Sequence, residues 1–391
     1  MDFLPENLRL KSIFNLHPIL TFPSDVLVYK VNKINMDTYT EQELREYQER
    51  ITQACYKLQP SVYKFITIGR NGYLKYSRTG NPKKDEFIAN MEQYINENWN
   101  IRQRDTYFVC QNTINEKQLL GEFTFPGLTL FEKQWNNKSA IDLLKDDLSY
   151  LFKGSVIAPF GSVLLDYDDE GRWDYGFVIP SSPPIYGLIL VNYQVGELQY
   201  FANHFLNFID LDFIHLLHFE SLDNLSIERK IKMAITTAEK THMPAELIAE
   251  LRELEQKAIL GQGNITQFMQ YIVLFDTDKE KLIDYAYKVK SMAPYQLAFE
   301  GDIEFELILD LLNKDALKGK DNFGVVRTAT IDYLSTLFPA TGSFNGTPQE
   351  PFIPLLNENL EPAYIPIDKS LFNIGTQGQM GAGKSVSLQY I

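Results

Sequence analysis

The chain has 391 residues, 45% of them hydrophobic and 13% aromatic, with 51 acidic against 37 basic side chains and a net charge of −14. That much apolar material excludes a disordered chain, and the length points to two or three domains. The acidic balance disfavours a surface built to follow phosphate backbones, so direct nucleic-acid binding by this portion is not expected.

The N-terminus, Met1-Asp2-Phe3-Leu4-Pro5-Glu6, carries neither a basic n-region nor an apolar h-region, so no signal peptide is expected. The apolar runs Ser155 to Leu165 and Ile185 to Val191 are too short to span a bilayer. Cys55 and Cys110 lie far apart and read as small buried hydrophobes of a reducing compartment. A soluble cytoplasmic protein is the expectation.

Residues 1–120 read as an N-terminal α+β domain. Val26 to Val31 is a strand, and Thr40 to Lys57 a helix opened by the capping box Thr40-Glu41-Gln42-Glu43. Val62 to Ile68 is a second strand. Lys84 to Trp99 is a helix with Phe87, Ile88, Met91, Tyr94 and Ile95 on one stripe, and Thr106 to Cys110 is a third strand. Residues 121–200 form a β-rich segment with a helix from Ala140 to Phe152. There Asp166 to Gly171 resembles the front of a calcium loop, but Phe177 stands where a bidentate Glu is needed, which leaves an acidic turn. Trp173, Tyr175 and Phe177 alternate as one face of a strand, and Ser181-Ser182-Pro183-Pro184 marks a loop.

Residues 201–338 read as an α+β domain with a helical hairpin. Phe213 to Phe219 is a strand that points His215 and His218 to opposite faces, which defeats joint metal ligation and leaves half-buried, satisfied histidines. Ile231, Ala234, Ile235 and Ala238 line the first hairpin helix. Pro244 starts the second, with Leu247, Leu251, Leu254 and Ala258 along it. Gln267 to Phe275 is a strand, Thr277-Asp278-Lys279-Glu280 a capping box, and Leu282, Ala286 and Val289 the buried stripe of the helix that follows. A further helix is expected over about Ile303 to Leu317. Residues 339–366, rich in proline, read as an extended linker.

Residues 367–391 carry the motif with the sharpest chemistry. Gly378-Gln379-Met380-Gly381-Ala382-Gly383-Lys384-Ser385 spells G-x-x-x-x-G-K-S after an apolar run and before a helical stretch. Gly378, Gly381 and Gly383 let the backbone curl so that the N–H groups of this loop, Gln379, Met380 and Ala382 included, converge on a phosphate. Lys384 would reach the β/γ-phosphates of ATP and Ser385 would hold Mg²⁺. The chain runs only six residues past Ser385, so the second strand with its catalytic acid is not expected within it. The segment reads as the start of a RecA-like α/β P-loop domain, and the chain as the front of a longer ATPase.

The order strand 213–219, hairpin 228–261, strand and helix 267–292, proline-rich 339–366, then Asn373-Ile374-Gly375 leading into the P-loop resembles the ATPases of conjugation and type IV secretion, the VirB-four-like or TraC/TraG-like group. The resemblance covers 201–391 and extends only weakly to 1–200. It implies ferredoxin-like split β-α-β elements with an inserted helical hairpin. It further implies an oligomeric motor, a hexamer in full-length form, at the cytoplasmic face of the inner membrane, docked to inner-membrane and cytoplasmic components of the secretion apparatus. Two alternatives stand beside it: a non-catalytic docking or assembly module with an incomplete P-loop, and a fragment of a HerA/FtsK-type DNA translocase.

Overall fold

A computed structural model describes residues 26–366, apart from 37–38, 77, 79, 126–127, 136–137, 153–157, 161–175, 180, 194, 196–197, 242–244, 260–264, 301–306, 309, 312–316, 318–324, 343–351 and 357–358. The chain divides into two compact units, Met1–Arg70 with Asp105–Gly342, and Asn71–Arg104 with Ser343–Ile391.

In order come β1 (Val26–Val31), α1 (Glu41–Tyr56), β2 (Ser61–Asn71), α2 (Pro82–Asn98), β3 (Arg102–Gln111), α3 (Glu116–Glu122), β4 (Phe131–Glu132) and α4 (Ala140–Phe152). Then follow β5 (Ala158–Phe160), β6 (Gly176–Ile179), β7 (Ile185–Asn192), β8 (Asp212–Ser221), α5 (Asn224–Lys240), α6 (Ala245–Ile259), β9 (Ile265–Asp276), α7 (Lys279–Met292) and β10 (Leu297–Glu300). The last are β11 (Arg327–Thr330), α8 (Ile331–Thr336), β12 (Phe352–Leu356) and β13 (Pro362–Pro366). The class is mixed α+β.

A single 11-stranded sheet of order β5-β6-β7-β9-β8-β2-β3-β1-β4, with β10 on β7 and β11 on β9, organises the described residues. It draws strands from all three segments 1–120, 121–200 and 201–338. The central strands β7, β9, β8 and β2 pair antiparallel. They bury side chains on both faces, which is why they read as near-continuous apolar runs. On one face Phe213, Leu217 and Phe219 join residues of α1, α3, α7 and α8; on the other, Ile214 and Leu216 join Leu144, Leu148 and Leu151 of α4. Each such side chain taken from water contributes about 1.5–3 kcal/mol. The first face also holds an aromatic cluster in which Phe108 stacks on Phe131 with centroids 4.4 Å apart and Phe65 meets Phe338 at 4.5 Å.

Local signals explain the helix starts. The Thr40–Glu43 capping box forms as expected, with Glu43 Oε2 accepting from the Thr40 N–H at 2.7 Å. At α7 the expected box at Thr277 does not form. Asp278 is the N-cap and accepts from the Lys281 N–H at 3.2 Å, since a carboxylate one residue later reaches the same open donors. In α5 Ile231, Ile235 and Ala238 are buried as expected and Ile227 extends the stripe by one turn, whereas Ala234 is exposed, which corrects that one position.

The second unit contains α2 and the hairpin β12–β13. The stretch 339–366, expected as an extended linker, therefore holds paired strands. The hairpin turn is fixed to β3 by Arg102 N–H donating to the Leu360 carbonyl at 2.9 Å and by the buried Arg104–Glu361 ion pair at 3.0 Å. On α2 the buried residues are Ile88 and Glu92, whereas Phe87 and Tyr94 of the expected apolar stripe are exposed. Glu92 is inside because it accepts from the Tyr76 N–H and pairs with Arg78, both at 2.5 Å.

Candidate functional site

The P-loop residues Gly378 to Ser385 lie outside the described residues, as do the acidic turn 166–171 and most of the helix expected over 303–317. What the structure places are three buried polar clusters on the sheet of the first unit, built from residues that local pattern presents singly or hides.

The first sits on the face covered by α7. Gln270 of β9 is its hub: its amide nitrogen lies 3.0 Å from His215 Nε2, 2.6 Å from the Tyr295 hydroxyl and 2.9 Å from Asn203 Oδ1, and its carbonyl accepts from Asn192 at 3.0 Å. Asn203 in turn donates to the Leu337 carbonyl. His215 is fully buried rather than half-buried, and burial holds its pKa down at about 3. The ring is therefore a neutral hydrogen-bonding group at physiological pH, not a proton carrier.

The second lies on the opposite face. His218 Nδ1 is 2.6 Å from Asp310 Oδ2, Lys64 Nζ is 3.8 Å from the same oxygen, and Lys64 also donates to the Asp310 carbonyl. Tyr271 donates to the Leu307 carbonyl at 2.5 Å. A histidine, a carboxylate and an ammonium in contact are the raw material of proton transfer. Here the three side chains are only 0–4% exposed, so the cluster serves to fasten Leu307 and Asp310 to the sheet. As expected, His215 and His218 point to opposite faces and share no ligand.

In the third, Asp147 of α4 accepts from Arg70 Nε at 2.7 Å and from the Tyr107 hydroxyl at 2.5 Å. Burial, reinforced by the charge of Asp105, pushes the Asp147 carboxyl up to about 6. Lys30 holds Asp105 at 2.7 Å, and the Arg70 guanidinium lies over the Tyr150 ring at 5.6 Å. The arrangement anchors α4 through its one buried charge.

Sequence signals for these clusters existed. Lys64 interrupts Val62-Tyr63 and Phe65-Ile66, and Gln270 sits between Met269 and Tyr271. A polar residue in a strand apolar on both faces has to find a buried partner. No group of His, Cys, Asp and Glu suited to a metal occurs among the described residues, and no helix there is long and apolar enough to cross a membrane. A scan against protein-family models and a search of curated proteins found no match for this chain.

Proposed function

We propose that this chain is a nucleotide-binding component of the conjugation and type IV secretion ATPase class, taking MgATP through Gly378 to Ser385. The observation that carries the reading is the G-x-x-x-x-G-K-S sequence with an apolar run before it and a helical stretch after it. Supporting it is the succession of strand, helical hairpin, strand and helix on which the resemblance rests: β8, α5, α6, β9 and α7 follow one another in that order. In this reading the residues from 367 onward belong to a RecA-like motor. The α+β region, with ferredoxin-like split β-α-β units, docks to the secretion apparatus at the cytoplasmic face of the membrane, and the working form is a hexamer.

The reading is tested by titrating the chain with MgATP, followed by calorimetry. Weak, Mg²⁺-dependent binding is expected, lost in Lys384→Ala while the far-ultraviolet circular dichroism stays unchanged. Equal binding by the variant, or binding indifferent to Mg²⁺, would rule out the P-loop as the site.

A further inference from the structure

The hairpin α5–α6 is an excursion from the sheet. Ser221 of β8 lies directly opposite Thr266 of β9, so the chain leaves and re-enters between two paired strands, where a turn of a few residues would suffice. The two helices pack on each other around a cluster of their own, Ile227, Ile231, Ile235 and Ile265 with Leu222 and Leu251, separate from both layers of the sheet. Opposite that buried stripe α5 carries a second row. Leu225, Arg229, Met233, Thr236 and Lys240 follow one another at intervals of four, four, three and four residues, which sets them on one face of the helix, and all five are exposed. Leu225 and Met233, 67% and 70% exposed, are the two most exposed large apolar side chains among the described residues.

The row holds no carboxylate, in a chain whose net charge is −14. The acids near it on α5 are engaged elsewhere. Asp223 caps the helix by accepting from the Ser226 N–H at 2.8 Å, Glu228 pairs with Lys232 beside the row, and Glu239 accepts from Arg252 of α6 at 2.9 Å. The Arg229 and Lys240 side chains make no hydrogen bond or ion pair among the described residues. Two cations interleaved with two apolar side chains on a convex helix fit a partner with negative charge at one depth and apolar material just beneath it. We propose that the outer row of α5 docks on a bilayer surface containing anionic lipid. Leu225 and Met233 enter the boundary between headgroups and acyl chains, while Arg229 and Lys240 reach back along their methylenes to the lipid phosphates. A nucleic-acid backbone gives the apolar side chains no place, and a folded acidic protein would have to supply a groove for a convex helix. A bilayer needs none. The chain's overall negative charge does not cancel the attraction, because at 0.1 M salt a charge is felt over about 10 Å. Two cations contributing about fivefold each, with two shallow apolar anchors, make the binding weak, with half-saturation on the order of 1 mM lipid.

Nothing in this docking depends on the P-loop, and its experiment involves no nucleotide, so either reading can fail alone. The full chain is mixed with vesicles of phosphatidylcholine, alone or with an equal part of phosphatidylglycerol, and bound protein is separated by flotation at about 0.1 M salt. Binding to the mixed vesicles is expected, about tenfold weaker to the neutral ones and weakened again by added salt. R229Q/K240Q should lower it by about 25-fold. K83Q/K84Q, the same loss of charge at exposed positions of α2, should leave it unchanged. L225S/M233S should lower it by about tenfold while the preference for anionic lipid persists. In Met233→Trp the added fluorescence should shift to the blue on binding and be quenched by brominated lipid. A wild-type chain still unbound at ten times the expected lipid concentration would overturn the proposal. So would R229Q/K240Q binding like wild type, K83Q/K84Q falling as far, or a Met233→Trp signal that stays in water while the chain binds. Binding to polyglutamate or duplex DNA that R229Q/K240Q loses, with none to vesicles, would give the row to an acidic protein or a nucleic acid and likewise overturn it. Circular dichroism of each variant establishes that α5 is intact.

Discussion

His215 and Asp147 are displaced in opposite senses by the same cause, burial. His215 titrates near 3 in the folded chain against an ordinary value near 6.5, so between those limits the unfolded chain holds more protons and stability falls as pH is lowered. The folded state binds the Asp147 proton up to about 6, against an ordinary 3.8. Its contribution is complete below 3.8 and is lost as pH rises through 6. Over the shared window the two slopes oppose, each at most about 1.4 kcal/mol per pH unit. Asp147→Asn should remove one of them, so that stability rises more steeply with pH than in wild type. His215→Gln should do the reverse. Urea denaturation at several pH values between 4 and 6 measures both, and parallel curves for all three proteins would show that neither group is linked to folding. Nothing in the local pattern hints at this pairing of effects. Alternation marks His215 as facing one side of a strand, but the depth of its burial depends on β9 and β2 arriving on either side of β8.

At the scale of elements, strand pairing brings rings over glycines. Phe177 lies opposite Gly187 in the β6–β7 register, and Phe213 opposite Gly69 in the β8–β2 register. A Cβ on Gly187 would stand 2.1 Å from Phe177 Cζ, so Gly187→Ala must move the ring. A loss of about 1–3 kcal/mol is expected, seen as a lower denaturant midpoint at unchanged slope. Gly121, within α3, has no atom within 4 Å of an added Cβ. Gly121→Ala should instead stabilise by about 0.5–1 kcal/mol, through its higher helix propensity. If both variants shifted the midpoint in the same direction, the cross-strand ring contact would not be the determinant. Element identity was legible locally: the capping box at Thr40, the helix α4 and the run of β8 all form where the sequence pattern places them. Faces were less so. The apolar stripe read along α2 joined Phe87 and Tyr94 to Ile88, although these lie on different sides. The residue that breaks the rule, Glu92, is inside because Arg78 and the Tyr76 N–H come to meet it from outside the helix.

For the whole molecule, the order of strands was the part that local pattern could not supply. Strand β2 pairs with β8, whose residues lie about 150 positions further along, and no local feature of either strand names the other. The candidate P-loop was legible at once, because its chemistry is carried by eight consecutive residues. The buried clusters were not, because each is assembled from separate elements. This layered sheet has a consequence for the two thiols, Cys55 and Cys110, which lie in the same apolar layer. Burial lifts Cys55 well above its ordinary pKa and pushes Cys110 up to about 12, so neither offers a thiolate at neutral pH. An alkylating reagent should therefore modify neither residue until the layer separates, and then both together, at a rate that mass spectrometry reads as a clock for opening. Fast labelling of one cysteine in the folded protein would mean that the layer parts locally there. Because the chain holds no other cysteine, the clock comes with the wild-type protein and needs no introduced probe.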